Sequence, residues 1–122
     1  MSHVYQYLET VEDFYQMRTT SDRCIIIYSA SWCGPCKLLK TWLDKTYPDF
    51  PYPIGIVDVE NSEMEELYKE VTGLPTVEFI KDSEKERELV GFDKAGIKEM
   101  MDQMLEKDIP AGVSKISMED MF

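Results

Sequence analysis

A chain of 122 residues is enough for one compact domain and too short for two. Its 24 acidic and 13 basic side chains give a net charge of -11, which repels nucleic-acid phosphates and anionic membranes and so excludes both as expected partners. No stretch approaches the ~20 apolar residues of a membrane span, the N-terminal residues lack the basic and apolar regions of a secretory leader, and the three cysteines do not make a disulfide scaffold, which points to a reducing, cytoplasmic setting.

Residues 3–8 alternate apolar and polar side chains and predict an edge strand. Thr10 or Glu9 then opens a short helix carrying Val11, Phe14, Tyr15 and Arg18. Residues 24–29 are a continuous apolar run, the kind of strand buried on both faces of a sheet. A helix follows Cys33 to about Lys45, and the prolines at 48, 51 and 53 stop it. Ile54 to Val59 read as a second buried strand. Asn61 or Ser62 caps a helix with Met64, Leu67, Tyr68 and Val71, and Gly73 ends it. Thr76 to Ile80 form a strand, a charged turn follows near Lys81 to Glu84, and Glu86 to Val90 return. Residues 93–107 make an amphipathic helix with Ile97, Met100, Met101, Met104 and Leu105 on one side. The order is βαβαβαββα: an α/β domain over residues 1–108, with a central mixed sheet, followed by a C-terminal tail at 109–122.

The chemistry concentrates in Trp32-Cys33-Gly34-Pro35-Cys36-Lys37. Two thiols two residues apart, between a buried strand and a helix, can close on each other as a disulfide. The rival use of the pair is half a zinc site, but zinc takes four ligands, and the remaining candidates, Cys24 and His3, are far from any paired spacing. Cys24 begins the buried strand and reads as a small core hydrophobe. Trp42 reads as core packing, and His3 is assigned no role.

With Gly73-Leu74-Pro75-Thr76 and Val90-Gly91-Phe92 in matching order and spacing, this hexapeptide resembles that of the thioredoxin family, and the likeness runs from about residue 4 to residue 107. The resemblance implies the thioredoxin fold, helices on both faces of the sheet, and a monomer that reduces protein disulfides through Cys33 and Cys36. Cys33, at the helix start, would be the nucleophile, because unpaired N–H groups there carry about half a positive charge and favour a thiolate. Cys36 would be the resolving thiol. Trp32, Gly34, Pro35, Leu74, a cis Pro75, Gly91 and Phe92 would form the docking patch, with the Leu74 backbone pairing with an extended substrate. Phe92 is bulkier than the small residue usual there. No cofactor is implied beyond the redox-active disulfide itself, and no metal. Electrons would come from a separate NADPH-dependent flavin enzyme, a thioredoxin reductase.

One departure stands out. The family usually carries a buried aspartate six residues before the first active-site cysteine and a charged partner on the next strand. Here those positions map to Ile27 and Ile56. Loss of both together is physically sensible, since a buried carboxylate without a partner is costly. Proton transfer from Cys36 would then fall to water or to Asp58 or Glu60. Two other readings stay open: a glutathione-linked or oxidising member of the fold, and a binding module of the same fold with incidental redox chemistry.

Overall fold

The computed structural model describes residues 5–106. The expectations for His3, for the edge strand before Tyr5 and for the tail at 109–122 lie outside the described residues. The elements are β1 (Tyr5–Tyr7), α1 (Val11–Thr20), β2 (Arg23–Ser29), α2 (Gly34–Thr46), β3 (Ile54–Asp58), α3 (Glu65–Tyr68), β4 (Thr76–Lys81), β5 (Glu84–Val90) and α4 (Lys94–Met104). They form a five-stranded sheet in the order β1-β3-β2-β4-β5. β1 and β2 run parallel to β3, whereas β4 runs antiparallel to both β2 and β5.

β2 is the middle strand, and every residue in it is buried. Side chains alternate across the sheet, so Ile25 and Ile27 pack with Leu39 and Leu43 of α2 and with Ile97 and Met101 of α4. Cys24, Ile26 and Tyr28 point the other way, toward Phe14 and Met17 of α1 and toward Met64. The run of three isoleucines is what a strand covered by helices on both faces requires. α1 approaches closely enough that a Cβ on Gly55 of β3 would lie 2.9 Å from both Leu8 Cδ1 and Met17 Sδ.

Local signals set the element ends. Thr10 caps α1: its hydroxyl accepts from Asp13 N–H, and the Asp13 carboxylate accepts in return from Thr10 N–H. The inward residues of α1 are Phe14 and Met17; Tyr15, expected on that face, is largely exposed. The β4–β5 turn places Asp82 at φ 52° and Ser83 at φ 69°, the left-handed pair that suits a two-residue hairpin. Arg18 Nε donates to Ser83 O at 2.8 Å, which ties that turn to α1. Leu105, expected on the inner side of α4, caps the helix instead and is exposed. Trp42 is only half-buried, edge-on to Tyr47 and tilted against Phe92, with ring centroids 5.9 Å apart in each case.

The helix expected through Val71 is shorter. Asn61 Oδ1 accepts from Glu63 N–H and starts a 3-10 turn, Ser62–Met64. α3 then adds one turn, and Val71 N–H returns to Tyr68 O rather than continuing the helix. The β-branched pair Val71-Thr72 followed by Gly73 disfavours propagation. This early stop sends residues 69–74 past the disulfide.

Candidate active site

β2 ends at Ser29, and the chain turns sharply, with Cys33 N–H donating to Ala30 O at 3.2 Å. Cys33 is the N-cap of α2. Gly34 and Pro35 begin the helix, where the missing N–H of a proline leaves no bond unmade. Cys33 and Cys36 are joined as a disulfide, with Cα atoms 5.3 Å apart, inside the normal range for such a bridge. Cys36 N–H also donates to Cys33 Sγ at 3.2 Å. One hydrogen bond and the positive end of a 13-residue helix therefore converge on the sulfur at position 33.

The two sulfurs are not equivalent. Cys33 lines a groove of about 600 Å³, and Cys36 does not. One wall is Trp32, Gly34 and Pro35. Trp32 is 69% exposed, far more than an indole placed for packing. The other wall is Leu74 and Gly73 together with Val59, Tyr68, Val71 and Thr72. Of the expected patch, Trp32, Gly34, Pro35 and Leu74 meet here. Pro75, Gly91 and Phe92 do not line the groove. The Leu74–Pro75 peptide is cis, and Pro75 is buried and accepts from Gly91 N–H at 2.7 Å. Gly91 has φ 85°, a conformation that favours glycine. Phe92 packs on Trp42, with Lys94 Nζ 5.8 Å from its ring centroid. By sequence pattern alone Val59, Tyr68 and Val71 belong to a strand and a helix, with no mark of the site. The available signal was the β-branched, glycine-ended stretch 71–73, which shortens α3 and leaves their apolar sides partly uncovered.

Beneath the site, Ile27 and Ile56 are fully buried, pair across β2 and β3, and pack with Leu39. Asp58 and Glu60 lie at the strand end above them. Asp58 Oδ1 accepts from Glu60 N–H at 2.8 Å. Glu60 Oε1 accepts from both Ser31 N–H at 2.9 Å and Ser31 Oγ at 2.7 Å, and these bonds hold its carboxyl below the ordinary glutamate range. Cys24 is fully buried among apolar side chains on the other face of the sheet, and burial pushes its thiol up to about 11. Among the described residues no group of three or more His, Cys, Asp or Glu side chains is arranged to hold a metal ion.

The Thioredoxin family model matches residues 6–103. Thioredoxin of Ophiophagus hannah is 32% identical over 76 residues, covering 62% of this chain and 72% of that protein. Thioredoxin of Gallus gallus is 25% identical over 92 residues, covering 74% and 88%. Among solved structures, oxidised mitochondrial thioredoxin 3 of Saccharomyces cerevisiae superimposes with a TM-score of 0.72 at 25% identity, covering 81% of this chain and 94% of that one. Oxidised thioredoxin O1 of Arabidopsis thaliana gives 0.69 at 26% identity, covering 83% and 97%. A family match across most of the chain, a shared fold, and a closed Cys33–Cys36 pair at the head of α2 lead to one conclusion: this chain belongs to the thioredoxin family and is a thiol–disulfide oxidoreductase.

Proposed function

We propose that the chain works as a protein-disulfide reductase, with Cys33 as nucleophile and Cys36 as resolving thiol. The observation that carries this assignment is the asymmetry of the pair: Cys33 lines the groove and its Sγ accepts the Cys36 N–H, while Cys36 does not line the groove. In the reduced protein the Cys33 thiolate attacks one sulfur of a substrate disulfide. A Cys33–substrate bond forms, and the substrate's other sulfur leaves as a thiolate. Cys36, once deprotonated, attacks Cys33 Sγ, closes the intramolecular disulfide and releases the second substrate thiolate, which takes up a proton. Two electrons pass from the dithiol to the substrate.

Trp32, Gly34, Pro35 and Leu74 dock the substrate, and the Leu74 backbone pairs with an extended segment by strand addition. Pro75 and Gly91 shape that edge, and Phe92 narrows the choice of partner on its far side. The protein acts as a monomer in the reducing cytoplasm, binds no cofactor or metal, and is returned to the dithiol by a separate NADPH-dependent flavin reductase. Substitution tests the division of labour. The Cys36→Ser variant traps a mixed disulfide with a protein substrate, and Cys33→Ser does not. Equal trapping by both variants would overturn the assignment.

A further inference from the structure

We propose that Asp58 accepts the proton of Cys36 through water held in a cavity of about 100 Å³ alongside α2, taking over the task left open by Ile27. The inference rests on the resolving role of Cys36 proposed above. In the β2–β3 register Ile27 pairs with Ile56, and Ser29 pairs with Asp58. Residues two apart on a strand share a face, so Asp58 lies on the α2 side of the sheet. It sits one alternation beyond Ile56, toward the end of the strand where the disulfide lies.

The cavity is bounded by Asp58, Ser29, Ala30, Ser31 and Lys40. Lys40 follows Cys36 by one helical turn and so shares its face of α2. Ala30, on the same wall, belongs to one small buried cluster with Cys33 and Cys36. A space of this size with several polar partners accommodates water, which needs roughly 10–15 Å³. Asp58 is only half-buried and shares this cavity with Lys40, whereas a carboxylate without a partner at the fully buried position 27 would be costly.

The charged and titratable groups around Asp58 are identifiable. From α2 comes Lys40, whose Nζ also lies 5.7 Å from the Tyr7 ring centroid, and Tyr7 of β1 lines the same cavity. Asp44, one turn further along α2, accepts from the Tyr5 hydroxyl at 3.0 Å. Glu60, the other carboxylate near the site, has its Oε1 engaged by the Ser31 N–H and hydroxyl. Asp58, whose Oδ1 accepts from Glu60 N–H, lines the cavity and Glu60 does not, which assigns the acceptor role to Asp58. The Cys36 S–H bond breaks, its proton passes through water to the Asp58 carboxylate, and the resulting thiolate attacks Cys33 Sγ of the mixed disulfide. The Cys33–substrate bond breaks, and its electron pair leaves with the substrate thiolate.

The test is single-turnover reduction of a protein disulfide by pre-reduced wild-type protein and by Asp58→Asn, acid-quenched and counted by mass. Asparagine keeps an acceptor oxygen for Glu60 N–H, and a matching thermal melt confirms the fold. The expected result is a mixed disulfide resolved about 10-fold more slowly in the variant near pH 7, with the gap closing toward about pH 9 as solvent takes over the deprotonation. In the variant alone, resolution should also speed up with the concentration of an imidazole buffer. Equal resolution at every pH, or a slowing that neither pH nor buffer base relieves, overturns the proposal. Wild-type protein that fails to reduce the substrate at all would overturn the reductase reading instead.

Discussion

In the proposed mechanism the Cys33 sulfur gains its reactivity from its place at the start of α2. It is the N-cap of α2, and Cys36 N–H points at it. Cys24 is the internal contrast. It is the same residue type, but its apolar burial raises the thiol to about 11 and disfavours the thiolate. Reduced native protein is therefore expected to incorporate iodoacetamide at Cys33 first and to leave Cys24 unlabelled until unfolded, as peptide mass mapping would show. Glu78 offers a second test at this scale. It is buried on β4, 3.7 Å from Lys85 Nζ, with Tyr28 OH donating to it at 3.3 Å, and burial raises its carboxyl above the ordinary value of 4.5. A raised folded-state value means the native protein holds this proton more tightly than the unfolded chain. Its stabilising contribution is full below about pH 4.5 and is lost as pH rises through the folded value. Glu78→Gln should remove that decline and be more stable than wild type at neutral pH in denaturant titrations. A variant with the wild-type pH profile would show that Glu78 is not strained by burial.

Among the elements, β2 and α2 were legible because their signals are strong and agree. A run of isoleucines needs a central strand, and Gly34-Pro35 after Cys33 needs a helix start. The capping pair of Thr10 and Asp13 makes the start of α1 equally definite. Thr10→Ala should cost about 1 kcal/mol of stability in chemical unfolding without slowing disulfide reduction. Leu39 of α2, fully buried against Ile27 and Ile56, carries more: Leu39→Ala should cost roughly 2–5 kcal/mol. The groove wall was less legible. Val59, Tyr68 and Val71 have the composition of core residues, and only the early end of α3 turns them toward Cys33. Glu78 was also hidden, because the alternation in Thr76–Ile80 suggests a half-exposed strand, whereas the Tyr28 hydroxyl and Lys85 let that face close over a carboxylate.

For the whole molecule, the net charge is -11, and the groove that Cys33 lines is walled largely by apolar side chains. Long-range attraction then favours disulfides on basic surfaces. Turnover of a basic protein substrate should fall several-fold between about 0.01 and 0.15 M salt, and an acidic one should change little or speed up. Identical salt dependence for both would remove charge as a factor in partner choice. All of the redox chemistry nevertheless depends on ionisation of the Cys33 sulfur at neutral pH. The direct measurement is the rate of iodoacetamide alkylation of Cys33 in reduced Cys36→Ser protein as a function of pH. The curve should turn over at least about one pH unit below the free-thiol value of ~8.5. A midpoint at the free-cysteine value would mean that the start of α2 does nothing for the thiolate, and the proposed mechanism would lose its foundation.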